Sequence, residues 1–267
     1  MRSLFFGSEV QPDHVAAFTE LKAAFGEHSD VEKALRRAGE PGLQDKGGWD
    51  ALLARYLRAE KYNVQKAEKR LRDQAVWRSA FCPKGQFSED EFRNELAAQK
   101  VFLQGPDKHG RGVIILKASR HSKSKRDLEE TKRCICYTLD HQIKLHDLRL
   151  NPDAKGFGIF DLRDITMDCL DFGALHAVFD ILQNYYPERL AVMVMFCAPF
   201  IFGALWKAVS PFIDPDTKKK VVFVNSSNAK AEIGDIFEPK DLPELLGGSA
   251  PLIPVEDAVA ALKANQK

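Results

Sequence analysis

Two carboxylates three residues apart, Asp161 and Asp164 in FDLRD, follow a short apolar run, a place where α/β enzymes often present acids. An acid–base pair needs surroundings that push the two protonation equilibria apart. The neighbouring residues supply an ion pair for Asp161 and a turn for Asp164. His141 and His146 are five apart, so on one helix they do not stack as a metal-binding pair would. Cys134 and Cys136, two apart, point to different faces. The five cysteines contain no C-x-x-C, which suits free thiols in a reducing interior and leaves no metal site expected. Neither common phosphate cradle is present, and no G-x-S-x-G elbow. RHSKSKR, residues 120–126, is the densest basic segment and reads as a solvated loop. No catalytic residue is nominated, and no enzyme is expected.

What stands out instead is LAVMVMFCAPFIFGALW, residues 190–206, seventeen positions without a charge. Its length approaches the ~20 apolar residues of a membrane-spanning helix. Pro199 splits it, because a proline inside a helix removes a donor and collides with the preceding turn. Residues 190–197, short and rich in Val and Met, predict a strand buried on both faces. Residues 200–212 predict a helix. Leu205, Val209 and Phe212 lie on one side of it, while Phe202, Trp206 and Ile213 continue round another. A helix apolar on most sides is either interior or meets two apolar environments in turn. An ordinary core helix and a movable helix over an apolar cavity both fit.

The elements around it alternate. Residues 1–98 read as helices separated by turns, with Asn63 and Ser29 or Asp30 as caps and a Ser88/Glu91 capping-box pattern. From residue 99 to 251 the pattern is a hairpin in KVFLQGPDKHGRGVIILKA, a helix over 126–148, then strand, helix, strand, helix and strand to KKVVFVNS. Residues 252–267 close with a helix. The fold class is α/β, with a mixed, largely parallel sheet. A net charge of +1 is too balanced for a general nucleic-acid binder. The apolar part of MRSLFFGSEV is too short for a signal-peptide core, so no secretion is expected.

The order of five segments carries a resemblance. LLARYLRAEKYNVQKA, DKHGRGV, YYPERL, APFIFGALWKAVSPFIDPDTKKKV and LPELLGG, spanning residues 49–248, resemble the CRAL-TRIO lipid-binding proteins, especially the yeast phosphatidylinositol-transfer type. The resemblance implies a helical N-terminal layer before a lobe whose sheet floors a lipid pocket closed by a gate helix. It implies a phospholipid cargo in place of a cofactor, transient contact with a membrane surface, and a cytoplasmic, peripherally associating monomer that binds no nucleic acid. Pocket residues would be Ile114, Leu116, Phe157, Ile159, Val192, Val194, Phe196 and Val222. Alternation leaves open which parity faces inward. Gate and membrane contacts would be Phe200, Ile201, Phe202, Leu205, Trp206, Val209 and Phe212. The head group would meet Lys61, Glu188 and Lys220, with the lysines neutralising phosphate and the carboxylate accepting from sugar hydroxyls.

A gate has a physical purpose. A two-chain phospholipid carries on the order of 30 methylenes, whose exposure to water at about 0.8 kcal/mol each would cost roughly 25 kcal/mol. Four positions depart from the family pattern. Gly156 and Gly158 stand where a serine and a threonine would meet the phosphate, Glu60 replaces a basic residue, and Ile114 replaces a tyrosine. A sterol, tocopherol-like or carotenoid cargo, or a lipid-sensing interaction module, therefore competes with the phospholipid.

Overall fold

Helix boundaries fall where capping chemistry stands in the sequence. In this computed structural model, residues 11–26, 29–227 and 229–264 are described; MRSLFFGSEV and the last three residues lie outside them. The chain divides into two compact units, one ending at Phe87 and one beginning at Ser88. In the first, α1 (Pro12–Phe25) has proline in its first turn and stops at Gly26, whose φ of 68° is left-handed. Helix α2 (Asp30–Arg37) is capped by the Ser29 hydroxyl, which accepts from the Glu32 N–H. After α3 (Gly48–Ala59), the Asn63 side chain accepts from the Lys66 N–H and starts α4 (Val64–Phe81). The four helices close over Leu21, Leu35, Leu53, Leu57 and Leu71. Arg78, fully buried, donates to the carbonyls of Ala38 and Gly39 and so satisfies the end of α2.

The second unit opens with a single 3₁₀ turn, Glu89–Phe92, held by the Glu91 N–H on the Ser88 carbonyl and not by the side-chain box expected there. Next come α5 (Arg93–Ala97), β1 (Val101–Gln104) and β2 (Val113–Lys117). Helix α6 (Leu128–Lys144) is shorter at both ends than the expected 126–148; Asp127 sets its start by accepting from the N–H groups of Glu129 and Glu130. The alternation continues through β3 (Gly156–Asp161), α7 (Phe172–Asn184), β4 (Leu190–Phe196), α8 (Phe200–Val209), the single turn α9 (Pro215–Lys218) and β5 (Val221–Val224). A short α10 (Ala229–Glu232) and α11 (Val255–Ala264) complete it. Residues 210–212, expected to extend the helix, form a 3₁₀ turn instead, with Pro211 inside it.

The five strands lie in chain order, β1 antiparallel to β2 and the rest parallel. Their register sorts side chains between the faces. Ile115, Ile159, Val194 and Val222 form one row; Ile114, Gly158, Met193 and Val221 form the next. Because side chains alternate along a strand, the two rows point to opposite faces. The first face is solid: Ile115, Ile159, Val194, Phe196 and Val224 pack into one core with Phe237 and Leu246.

Candidate functional site

The other face is hollow. Ile114, Leu116, Gly158, Phe160 and Met193 floor a cavity whose lining is mostly apolar. Side chains of α6, α7 and α8 wall and roof it, among them Ile135, Leu139, Leu175, Val178, Phe202 and Leu205. The two glycines of β3 have different reasons to be there. A Cβ at Gly156 would collide with the Gln142 amide, which donates to the carbonyls of Gly112 and Phe157 at 2.8 and 3.1 Å. At Gly158 a Cβ would meet nothing within 4 Å. That missing side chain is part of the space.

Of the residues expected in the pocket, Ile114 and Leu116 line the cavity. Ile159, Val194 and Phe196 do not: they belong to the solid core on the opposite face, and Val192 packs against it. Val222 pairs with Val194 and shares its parity. Phe157 touches both, bordering the cavity and entering the core. The correction has one cause. In-register strands carry one parity across the sheet, so a face that contains Ile114 must contain Gly158 and Met193, not Ile159 and Val194. Phe160 and Met193 were missed for that reason: the row of Ile114 leads through Gly158 to Met193, and the row of Leu116 leads to Phe160.

The gate-helix residues fall into three groups. Phe202 and Leu205 line the cavity, and Val209 is buried. Trp206 packs edge-on to Phe179 and Phe223, with centroids 6.1 and 5.4 Å away. Phe200 is 99% exposed, Ile201 is exposed, and Phe212 projects beside Phe172 and His176. Helix α8 thus has apolar side chains on its cavity side and on its solvent side.

Charged groups gather at both ends of the parallel strands. Glu188 and Lys220 sit just before β4 and β5, on one edge of the sheet. Glu188, at a φ of 57°, is paired with Lys155, which precedes β3, at 3.3 Å. Arg189 borders the cavity on this edge, and its guanidinium donates to the Ala154 carbonyl. Lys155 and Arg189 escaped the sequence reading, although each stands directly before a parallel strand. Lys61 lies in the first unit, in the left-handed turn between α3 and α4, and Glu60 beside it is paired with Arg70 at 2.6 Å. At the opposite edge, Glu95, Lys100, His121 and Asp171 border the cavity. Burial would raise the Asp171 carboxyl, but Arg126, the Ala174 N–H and His121 hold it well below the usual range. Asp161 forms the expected ion pair, with Arg163 at 2.7 Å, and Asp164 occupies a left-handed turn. Among the described residues no helix is long and apolar enough to cross a membrane.

Comparison with known proteins follows the same division. Residues 96–248 match the model of the CRAL/TRIO domain, and residues 17–73 match the CRAL/TRIO N-terminal domain. A CRAL-TRIO domain-containing protein of Schizosaccharomyces pombe, C3H8.02, is 27% identical over 76% of this chain and 46% of its own length. The phosphatidylinositol transfer protein CSR1 of Eremothecium gossypii is 24% identical over 74% of this chain and 47% of its own. The chain spans about half the length of the curated relatives it matches. The crystal structure of Sfh5 superposes with a TM-score of 0.65 at 17% identity, covering 97% of this chain and 99% of that one, which establishes the shared fold. With one family model matching more than half of its residues, the chain belongs to the CRAL/TRIO family.

Proposed function

We propose that this chain is a lipid carrier that draws a phospholipid of the phosphatidylinositol type from a membrane into the cavity when α8 moves aside. The observation that carries the reading is the double-sided α8: Phe202 and Leu205 complete an apolar cavity while Phe200 and Ile201 face outward. Such a helix loses little when its outer side enters lipid, because large aromatic and aliphatic groups favour the interface. Acyl chains then pass from hydrocarbon to protein with little wetting. Lysines 218–220, next to the gate, would each add about 1 kcal/mol of attraction to an anionic surface.

The head group is assigned to Lys61, Glu188 and Lys220, with Glu188 exchanging its Lys155 partner for sugar hydroxyls. A relative named as a phosphatidylinositol transfer protein supports that choice of cargo. The chain would work as a monomer on cytoplasmic membrane surfaces, without covalent chemistry. Transfer of labelled phosphatidylinositol between vesicles tests it. Lys61→Glu with Lys220→Glu is expected to abolish transfer. Unchanged transfer in that variant rejects the head-group assignment, and failure of the unaltered protein to extract any phospholipid rejects the carrier.

A further inference from the structure

The basic segment RHSKSKR, residues 120–126, has no task in the carrier reading. Lys123, Ser124 and Lys125 are exposed at its tip, as a solvated loop requires. Its serines, however, are held. Ser122 Oγ donates to Asp168 Oδ2 at 2.5 Å, Ser124 Oγ donates to the same oxygen at 3.2 Å, and the Ser124 N–H donates to Oδ1 at 3.1 Å. The Lys123 N–H adds a bond to the Asp168 carbonyl at 2.9 Å.

Three residues further on, Asp171 is held by the same segment. Arg126 grips both of its oxygens at 2.7 and 3.1 Å, and His121 Nε2 lies 3.1 Å from Oδ2. From His121 the polar chain runs on to Lys100 Nζ at 2.8 Å, and from Lys100 to Glu95 at 2.7 Å. Two carboxylates of the loop before α7 are thus clamped by the loop after β2. Both loops line the far end of the cavity, Ala118 and His121 from one, Ile165, Cys169, Leu170 and Asp171 from the other. The clamp therefore fixes the shape of that end.

One hydroxyl in the clamp is open to modification. Ser124 lies at the exposed tip with a lysine on each side, and among the described residues neither Lys123 nor Lys125 has an ion-pair partner. Free positive charge on an exposed loop tip suits an enzyme whose peptide groove is lined by carboxylates. The consequence of adding a phosphate there follows from charge. The Ser122 hydroxyl, with the Ser124 N–H and hydroxyl, holds the Asp168 carboxyl below its usual range, so it is ionised at neutral pH. A phosphoserine carries about −1.5 to −2 charge and no hydroxyl proton to donate, so it repels Asp168. It also offers Arg126, two positions away, a stronger anion than Asp171. A single modification loosens both halves of the clamp.

We propose that Ser124 is a phosphorylation site for a protein kinase that reads basic segments, and that its modification releases the clamp at the far end of the cavity. The Ser124 oxygen bonds to the γ-phosphorus of a nucleoside triphosphate as the bond to the bridging oxygen breaks; the diphosphate leaves, and the hydroxyl proton passes to the kinase's carboxylate base. The site stands apart from the carrier reading, and only its effect on lipid rests on that reading. The test treats the full chain with ATP and the catalytic domain of a kinase selective for serines followed by basic residues. Peptide mass spectrometry should find phosphate on Ser124, and none there in Ser124→Ala. A lost hydrogen bond to a charged acceptor corresponds to about tenfold or more in an equilibrium. The Lys123 and Ser124 amides, both bonded to Asp168, should therefore exchange with deuterium about tenfold faster in the phosphorylated chain. Release of bound labelled phosphatidylinositol to acceptor vesicles should quicken as well. A chain that takes no phosphate on Ser124, or whose two amides exchange as before once it does, overturns the proposal. Faster exchange with unchanged lipid release defeats the link to the cavity. A chain that never holds lipid defeats the carrier reading and leaves the modification to be judged on the exchange.

Discussion

Ile159 and Gly158 are neighbours in β3, yet one is locked in a solid core and the other looks into empty space. The same strands build both faces, so strand composition does not make the difference. Cover does. Phe237, Leu245 and Leu246 from the C-terminal segment fill the face of Ile159 and Val194. On the other face α6, α7 and α8 stand off the sheet, and the residue beneath them is a glycine. A hollow survives where wall side chains are too short to meet and nothing else is available to fill the gap.

The largest effect expected of any single change follows from that contrast. Ile159→Ala opens a void in a filled core and should lower stability by about 2–5 kcal/mol in urea denaturation. Ile114→Ala, on the hollow face, removes apolar contact beside space that is already empty, so it should cost less than about 1.5 kcal/mol. Equal losses would mean that both faces are packed alike and that the cavity is not a feature of the folded protein.

A second test concerns how firmly the sheet edge beneath the hollow face is closed. His146 Nδ1 accepts the Gly112 N–H at 2.8 Å, which only the neutral ring can do. Burial, with Arg189 adding to it, pushes this histidine down to about 4. A group whose folded equilibrium lies below its unfolded value of ~6.5 stabilises the fold above that value. The contribution is lost as pH falls toward about 4 and amounts to about 3 kcal/mol when fully lost. His146→Asn keeps an acceptor for Gly112 without a group that titrates there, and should flatten the acid limb of stability between pH 6.5 and 4. An acid limb as steep as that of the unaltered chain would show that His146 is well hydrated in the fold.

What could be read from residues alone tracks how local each determinant is. Caps at Ser29 and Asn63, the break at Pro199 and the alternation of strand and helix depend on neighbours in the chain, and they appear where expected. The split of parity does not. Leu190–Phe196 is apolar at every position, so nothing in the segment says whether Met193 or Val194 faces the hollow. Only pairing to Gly158, itself paired to Ile114, decides it. The polar chain at the far edge was equally hidden. Glu95, Lys100, His121 and Asp171 are scattered over 77 positions of sequence and form no motif. They meet because β1, the turn after β2 and the start of α7 end on the same edge of the sheet.

The smallest expected change in stability separates the two faces most sharply. Gly158→Leu places an apolar side chain where a Cβ meets nothing within 4 Å, so no backbone has to move to admit it. Replacing glycine in a strand also restricts the unfolded chain, worth about 0.4–1 kcal/mol where the backbone suits other residues. Partial burial of the new side chain adds to that, and the variant should gain about 1 kcal/mol overall. The same leucine occupies the floor of the cavity midway along β3, where any cargo lying between the two polar edges must pass. Lipid uptake should therefore fall while the unfolding midpoint rises. On the solid face additional bulk does the reverse, since overpacking a filled core costs about 1–3 kcal/mol. A Gly158→Leu protein that is destabilised to that extent, or that takes up lipid as before, would place the empty space somewhere other than over Gly158.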